Sequence, residues 1–178
     1  MGDFNHPIFQ EITKLKEKNM KKRLNMILLV GITILIDQIV KIIIISKGDL
    51  NFRLIPGVLK LSYVQNTGAA YGLGADSILV LIGINLLLVI FITRFLVKNY
   101  KKLDKNLATG LLLVLSGGIS NLIDRLLRGY VVDYLDVTEF LNFPIFNIAD
   151  SCIVIGVIIM IVTILISTVK EQETIKKG

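Results

Sequence analysis

The 178-residue chain has one histidine, His6, and one cysteine, Cys152, which argues against a Ser-His-Asp triad, a Cys-His pair, a zinc site of several His or Cys ligands and an internal disulfide. Apolar residues make up 53% and the mean hydropathy is +0.71, well above a soluble globule, in a length that suits one domain. The formal charge of +6 falls on the flanks of apolar runs without aromatic-basic interleaving, and Trp is absent, which argues against a nucleic-acid partner.

Residues 1–19 read as a polar extension. Ile8, Phe9, Ile12 and Leu15 have rough helical spacing, so this is a flexible tail or a short interfacial helix, and no function is assigned to it. Residues 20–170 form the membrane domain and 171–178 a cytoplasmic tail. Four runs, Met26–Ile45, Ser77–Val97, Asn106–Ile123 and Ile148–Val169, reach the roughly 20 apolar residues that a spanning helix needs. The first run ends in IIIISKGDL without a small-x-small cleavage site, so it reads as a retained helix rather than a signal peptide. Lys and Arg concentrate before the first run (Lys14, Lys16, Lys18, Lys21, Lys22, Arg23), around KNYKKLDKN and after the fourth run. The other side carries only Lys47, Arg53, Lys60, Arg125 and Arg128. Both termini are therefore expected in the cytoplasm. On the outer side, Pro56-Gly57 marks a turn, and VLKLSYVQ alternates with Leu59, Leu61 and Tyr63 on one face. VVDYLDV is β-branched. The expected fold is an all-α membrane protein of four transmembrane helices with a small extracytoplasmic β-sheet.

Ionisable groups inside a span cost about 2.5–3.5 kcal/mol each even on lenient scales, so each asks for a partner or a role. Asp37 and Lys41 share a face at i, i+4, either as a neutralised pair joining helices or with Lys41 in direct chemistry. Asn121, Asp124 and Arg125 share a face of the third run after Gly117 and Gly118; Asp124 held beside Arg125 would stay ionised and support a site. Asn147 and Asp150 open the fourth run, and no basic residue lies within a turn of Asp150. With the expected orientation these groups, together with Asn66 and Asp133, converge on the outer leaflet.

Five blocks in order, DQIVK (Asp37–Lys41), NTGAAYG (Asn66–Gly72), GGISNLIDR (Gly117–Arg125), VVDY (Val131–Tyr134) and FNIADS (Phe146–Ser151), resemble lipoprotein signal peptidase (signal peptidase II), a bacterial membrane aspartyl protease family. The resemblance covers about residues 20–170, with Ser120 standing where the family commonly has glycine. It implies a catalytic pair, Asp133 and Asp150, with Asp37, Lys41, Asn66, Gly68, Asn121, Asp124, Arg125 and Asn147 around it. It implies a multi-pass protein of the bacterial cytoplasmic membrane, a monomer with no metal or other cofactor, acting among membrane lipid. Its substrates would be diacylglyceryl-prolipoproteins, cut just before the lipidated cysteine. Two carboxylates sharing a proton suit that chemistry, one polarising the carbonyl and the other activating water. Rival readings are a proton relay through Asp37, Asp124 and Asp150, and a Ser-Lys protease using Lys41 with Ser120 or Ser151.

Overall fold

The computed structural model describes residues 7–68 and 78–177. Residues 1–6 of the extension, 69–72 of the NTGAAYG block, Ser77 and Gly178 lie outside the described residues. Helix α1 runs from Pro7 to Lys47, and a hairpin follows, β1 (Asn51–Ile55) and β2 (Leu59–Asn66). Then come α2 (Ile78–Asn99), α3 (Lys105–Arg128), β3 (Val131–Asp136) and α4 (Ile148–Lys177).

Residues 7–19 depart from expectation: they are neither a flexible tail nor a separate interfacial helix but the first turns of α1, which is 41 residues long. Proline suits the first turn of a helix, where its missing N–H is no loss, and no second proline interrupts the chain before Pro56. The third span is also longer than expected. It is opened by Asp104, whose side chain accepts from the backbone N–H groups of Asn106 and Leu107, and closed by Gly129 in the left-handed conformation. Asp124 and Arg125 are therefore inside the helix rather than at its edge.

All four helices are long and apolar enough to cross a membrane, but α3 differs in kind. It is the least apolar of the four, yet 67% of its spanning stretch is buried inside the protein, against 6% for α2 and α4. The reason is its small residues. A Cβ on Gly117 would lie 2.3 Å from the Ala149 carbonyl oxygen, and one on Gly110 would lie 2.7 Å from that of Gly156. Backbone thus meets backbone along the α3–α4 crossing, as small-residue interfaces in membranes allow. Around this central helix the core has two apolar clusters. Ile92, Leu96, Leu111, Leu112, Val114 and Leu115 form one, and Ile44, Val132 and Tyr134 form the other beneath the sheet. Along α1 and α3 the buried polar residues fall between them.

The expected sheet is present as three antiparallel strands in the order β1-β2-β3. Gly57, at φ 74°, makes the hairpin turn after Pro56. The burial of β2 does not alternate, because this strand is only half covered. Strand β3 is buried along nearly its whole length. Its outer edge is bridged by the segment entering α4: Leu135 and Phe146 exchange backbone hydrogen bonds at 2.7 and 3.1 Å. This strap carries the start of α4 back to β3.

Candidate active site

Helices α1, α3 and α4 meet strands β2 and β3 at the sheet end of the bundle, and the lowest layer of the site is ionic. Lys41 Nζ lies 2.7 Å from Asp37 and 2.8 Å from Asp124, with all three side chains fully buried, and it donates to Asn121 Oδ1 at 3.0 Å. An ammonium has three N–H groups, and here each has an acceptor. Asp37 also accepts from the Ala149 backbone N–H at 3.1 Å and from the Ser120 hydroxyl at 2.6 Å. Asp124 accepts from the Val132 N–H at 3.1 Å and pairs with Arg128. Two carboxylates thus face two cations, which keeps the burial affordable. The partner of Asp124 is not the expected Arg125. Adjacent residues diverge by about 100° around a helix, whereas i and i+4 stack, so Arg128 reaches Asp124. Arg125 turns instead toward the cleft.

The next layer consists of two asparagines whose orientation this network dictates. Asn121 Oδ1 receives both Lys41 Nζ and Asn147 Nδ2, the latter at 3.2 Å, so its own amide nitrogen must face outward. It donates to Asp150 at 2.8 Å. Asn147 Oδ1 accepts the Asp150 backbone N–H at 2.8 Å, and its Nδ2 donates to Asp133 at 2.7 Å. The Asn147 backbone N–H reaches the other Asp150 oxygen at 3.2 Å. Asn147 therefore touches both acidic side chains. Asp133 takes a second amide, from Asn66 Nδ2 at 2.8 Å, because the β2–β3 register sets Asn66 opposite Val131 and diagonal to Asp133 on the same face. Asn66 Oδ1 in turn accepts from the Gly68 N–H at 3.1 Å.

Above these layers opens a cleft of about 600 Å³, with Asp133, Asp150, Asn66 and Arg125 on its polar wall and Phe146, Val154 and Ile155 on its apolar one. Asp133 is 2% exposed, and burial pushes its carboxyl up to about 6. The Asn66 hydrogen bond opposes the rise, and the negative charge of Asp150 adds to it. Burial, with the charge of Asp37, also raises the Tyr134 phenol. Tyr134 keeps its proton, aimed at Asp37 at 3.4 Å, while its oxygen accepts the Ile148 N–H at 3.2 Å. A pair of carboxyls on one wall, unequal in surroundings and open to a cleft, can hold a water and exchange a single proton.

The ten expected residues come together around this cleft and the ionic layer beneath it. Sequence reasoning missed Gln38, Arg128 and Tyr134. Gln38 Nε2 donates to Asp124 at 2.9 Å and to Ser120 Oγ at 3.0 Å, while its carbonyl oxygen accepts from Arg128 at 3.1 Å. The signal available for Arg128 was its i+4 spacing from Asp124; Gln38 stood out only as an amide in an apolar run. The Ser-Lys alternative is disfavoured by geometry. Ser120 donates to Asp37, Ser151 donates to the Asn147 carbonyl at 3.0 Å, and Lys41 has no N–H to spare. A relay across the membrane is disfavoured because the buried ionisable groups among the described residues crowd the sheet end. Among those residues no group of His, Cys, Asp and Glu is arranged to hold a metal.

The chain matches the family described as signal peptidase (SPase) II over residues 29–166. Proteins named lipoprotein signal peptidase are similar to it: one from Enterococcus faecalis is 41% identical over 75% of this chain and 79% of its own length. One from Streptococcus thermophilus is 40% identical over 71% and 82%. Two solved structures, each described as a bacterial membrane enzyme studied by the in meso method, share 34% identity with it. They superpose with TM-scores of 0.74 and 0.71, covering 81% and 79% of this chain and 89% and 92% of theirs.

Proposed function

Because the chain belongs to the signal peptidase II family of aspartic-type peptidases, we propose that it removes the signal peptide from diacylglyceryl-modified prolipoproteins. In this reading it is a multi-pass protein of the bacterial cytoplasmic membrane, with both termini in the cytoplasm and the cleft at the outer face. Cleavage falls just before the lipidated cysteine. The observation that carries the proposal is the joining of Asp133 and Asp150, from a strand and a helix, at one wall of a cleft through the single residue Asn147, whose side-chain amide donates to Asp133 and whose backbone N–H donates to Asp150.

The geometry supports a water-activating mechanism. With one proton between the two carboxyls, the ionised one takes a proton from water as its oxygen attacks the scissile carbonyl carbon. The protonated one gives its proton to the carbonyl oxygen, and a neutral gem-diol forms. Collapse breaks the C–N bond, a carboxyl proton passes to the leaving nitrogen, and a gem-diol hydroxyl returns its proton to the pair. The starting state is restored. The pair titrates as a unit, so neither aspartate alone is the acid or the base. The apolar wall of Phe146, Val154 and Ile155 suits the acyl chains or the signal helix beside the reacting peptide.

The test is a gel-shift assay in detergent with a diacylglycerylated prolipoprotein. Asp133→Asn and Asp150→Asn should each lower turnover by at least about a thousandfold, the upper range for loss of acid-base catalysis. Ser120→Ala and Ser151→Ala should retain it. Near-normal turnover in either aspartate variant, with the protein inserted and folded, rejects the pair.

A further inference from the structure

A second cleft lies at the opposite end of the bundle. Helices α1 and α2 both pack on α3 and leave between them a space of about 570 Å³, walled by Met26, Ile27, Val30, Leu96 and Leu115. Arg23 and Tyr100 form its rim, and Lys101 lies just beyond it. The Arg23 guanidinium lies over the Tyr100 ring, 5.1 Å from its centroid, and Lys101 Nζ is 5.9 Å from the same centroid. Among the described residues Arg23 has no carboxylate partner, so its N–H fork remains open to an acceptor. Eighteen residues of α1 separate Arg23 from Lys41, about 27 Å at 1.5 Å per residue, nearly the thickness of a bilayer core. This rim therefore faces the leaflet opposite the aspartates.

The geometry points to a binding site for an anionic phospholipid of that leaflet, with an acyl chain in the α1–α2 cleft and its phosphate on Arg23 and Lys101. A guanidinium matches phosphate oxygens in paired hydrogen bonds, and tyrosine is at home at headgroup level. Charge selects this occupant over two others. A signal peptide carries a basic n-region on the cytoplasmic side, which would meet Arg23 and Lys101 with like charge. A second copy of the chain would bring the same basic rim against itself. The floor is open at Gly31, where a Cβ would find no atom within 4 Å, so a larger side chain there would fill the cleft without disturbing α1. The site rests on the chain crossing a membrane with this end at the cytoplasmic face, and not on the peptidase reading.

The experiment follows thermal unfolding of the full chain in dodecylmaltoside as dioleoylphosphatidylglycerol is added, with dioleoylphosphatidylcholine in parallel. Binding to the folded state should raise the melting temperature saturably, by several degrees, for the anionic lipid alone. Gly31→Phe should abolish the shift by filling the cleft, Gly31→Ala should preserve it, and Arg23→Gln should weaken apparent affinity about tenfold, the loss of one charge-assisted contact. Equal shifts from both lipids would overturn the assignment. So would an undiminished shift in either Gly31→Phe or Arg23→Gln, or a wild-type dimer that Gly31→Phe dissociates.

Discussion

Asn147 does more for the geometry than its neutral side chain suggests. It is fully buried, and between its amide and its backbone N–H it touches Asp133, Asp150 and Asn121. Replacing it with the similarly sized Leu keeps the backbone N–H on Asp150 but removes the amide from Asp133, which is then held by Asn66 and can turn away from its partner. Turnover is expected to fall about a hundredfold while KM stays within a factor of about three, the pattern of a lost transition-state alignment. A large rise in KM with unchanged turnover would assign Asn147 to substrate binding instead. The raised Asp133 carboxyl has a measurable consequence for stability. Its folded value of about 6 lies above the ordinary carboxyl value of 3.8, so ionising it costs the folded state about 3 kcal/mol. That cost is absent below about pH 4, where the group is protonated in both states, and complete above about pH 6. The melting temperature of Asp133→Asn minus that of the wild type should therefore climb between those limits and level off above them. A difference independent of pH contradicts the burial argument.

At the scale of elements, α3 packs on the other three helices and on β3, and it seats α4 and α1 by two kinds of contact. Its glycines seat α4. Gly117→Val would drive a side chain into the Ala149 carbonyl, one residue before Asp150, so α4 must move away and carry that carboxyl with it. Peptidase activity should fall by at least about tenfold, a small misplacement being enough to spoil alignment, while the protein still inserts. Its polar residues seat α1 through Lys41, which binds Asp124 and Asn121 from one atom. Lys41→Met leaves Asp37 and Asp124 as buried carboxylates without that cation. Breaking a buried pair in this way costs about 3–5 kcal/mol, readable as a lower melting temperature in detergent. Stability unchanged in Lys41→Met would mean that Arg128 alone neutralises the layer.

The whole molecule is a helix bundle with its polarity at one end: a neutral ionic layer, two asparagines, then two carboxyls under a sheet. Basic residues gather at the other end, so the sheet end is expected outside. In a Cys152→Ala background, cysteine at Glu139 on the sheet-end loop should react with an impermeant maleimide on intact cells. Cysteine at Lys102, between α2 and α3, should react only after lysis. The reverse pattern would invert the topology.

The number of spans, the strand character of 59–66 and 131–136 and the identity of the polar residues were legible in the chain, because each is a local property of hydropathy, alternation or spacing. The continuity of α1 through residues 7–19 was obscured by charges, since four apolar residues at rough helical spacing among lysines and glutamates read equally as a tail or as a short separate helix. Pairing could not be read at all. That Asp124 chooses Arg128, that Gln38 closes the ionic layer and that Asn147 spans Asp133 and Asp150 depend on distances between α1, α3, β3 and the strap at Phe146. Hydropathy commits segments to lipid one at a time, but hydrogen bonds among buried polar groups form only where separate segments arrive together, and packing alone decides that.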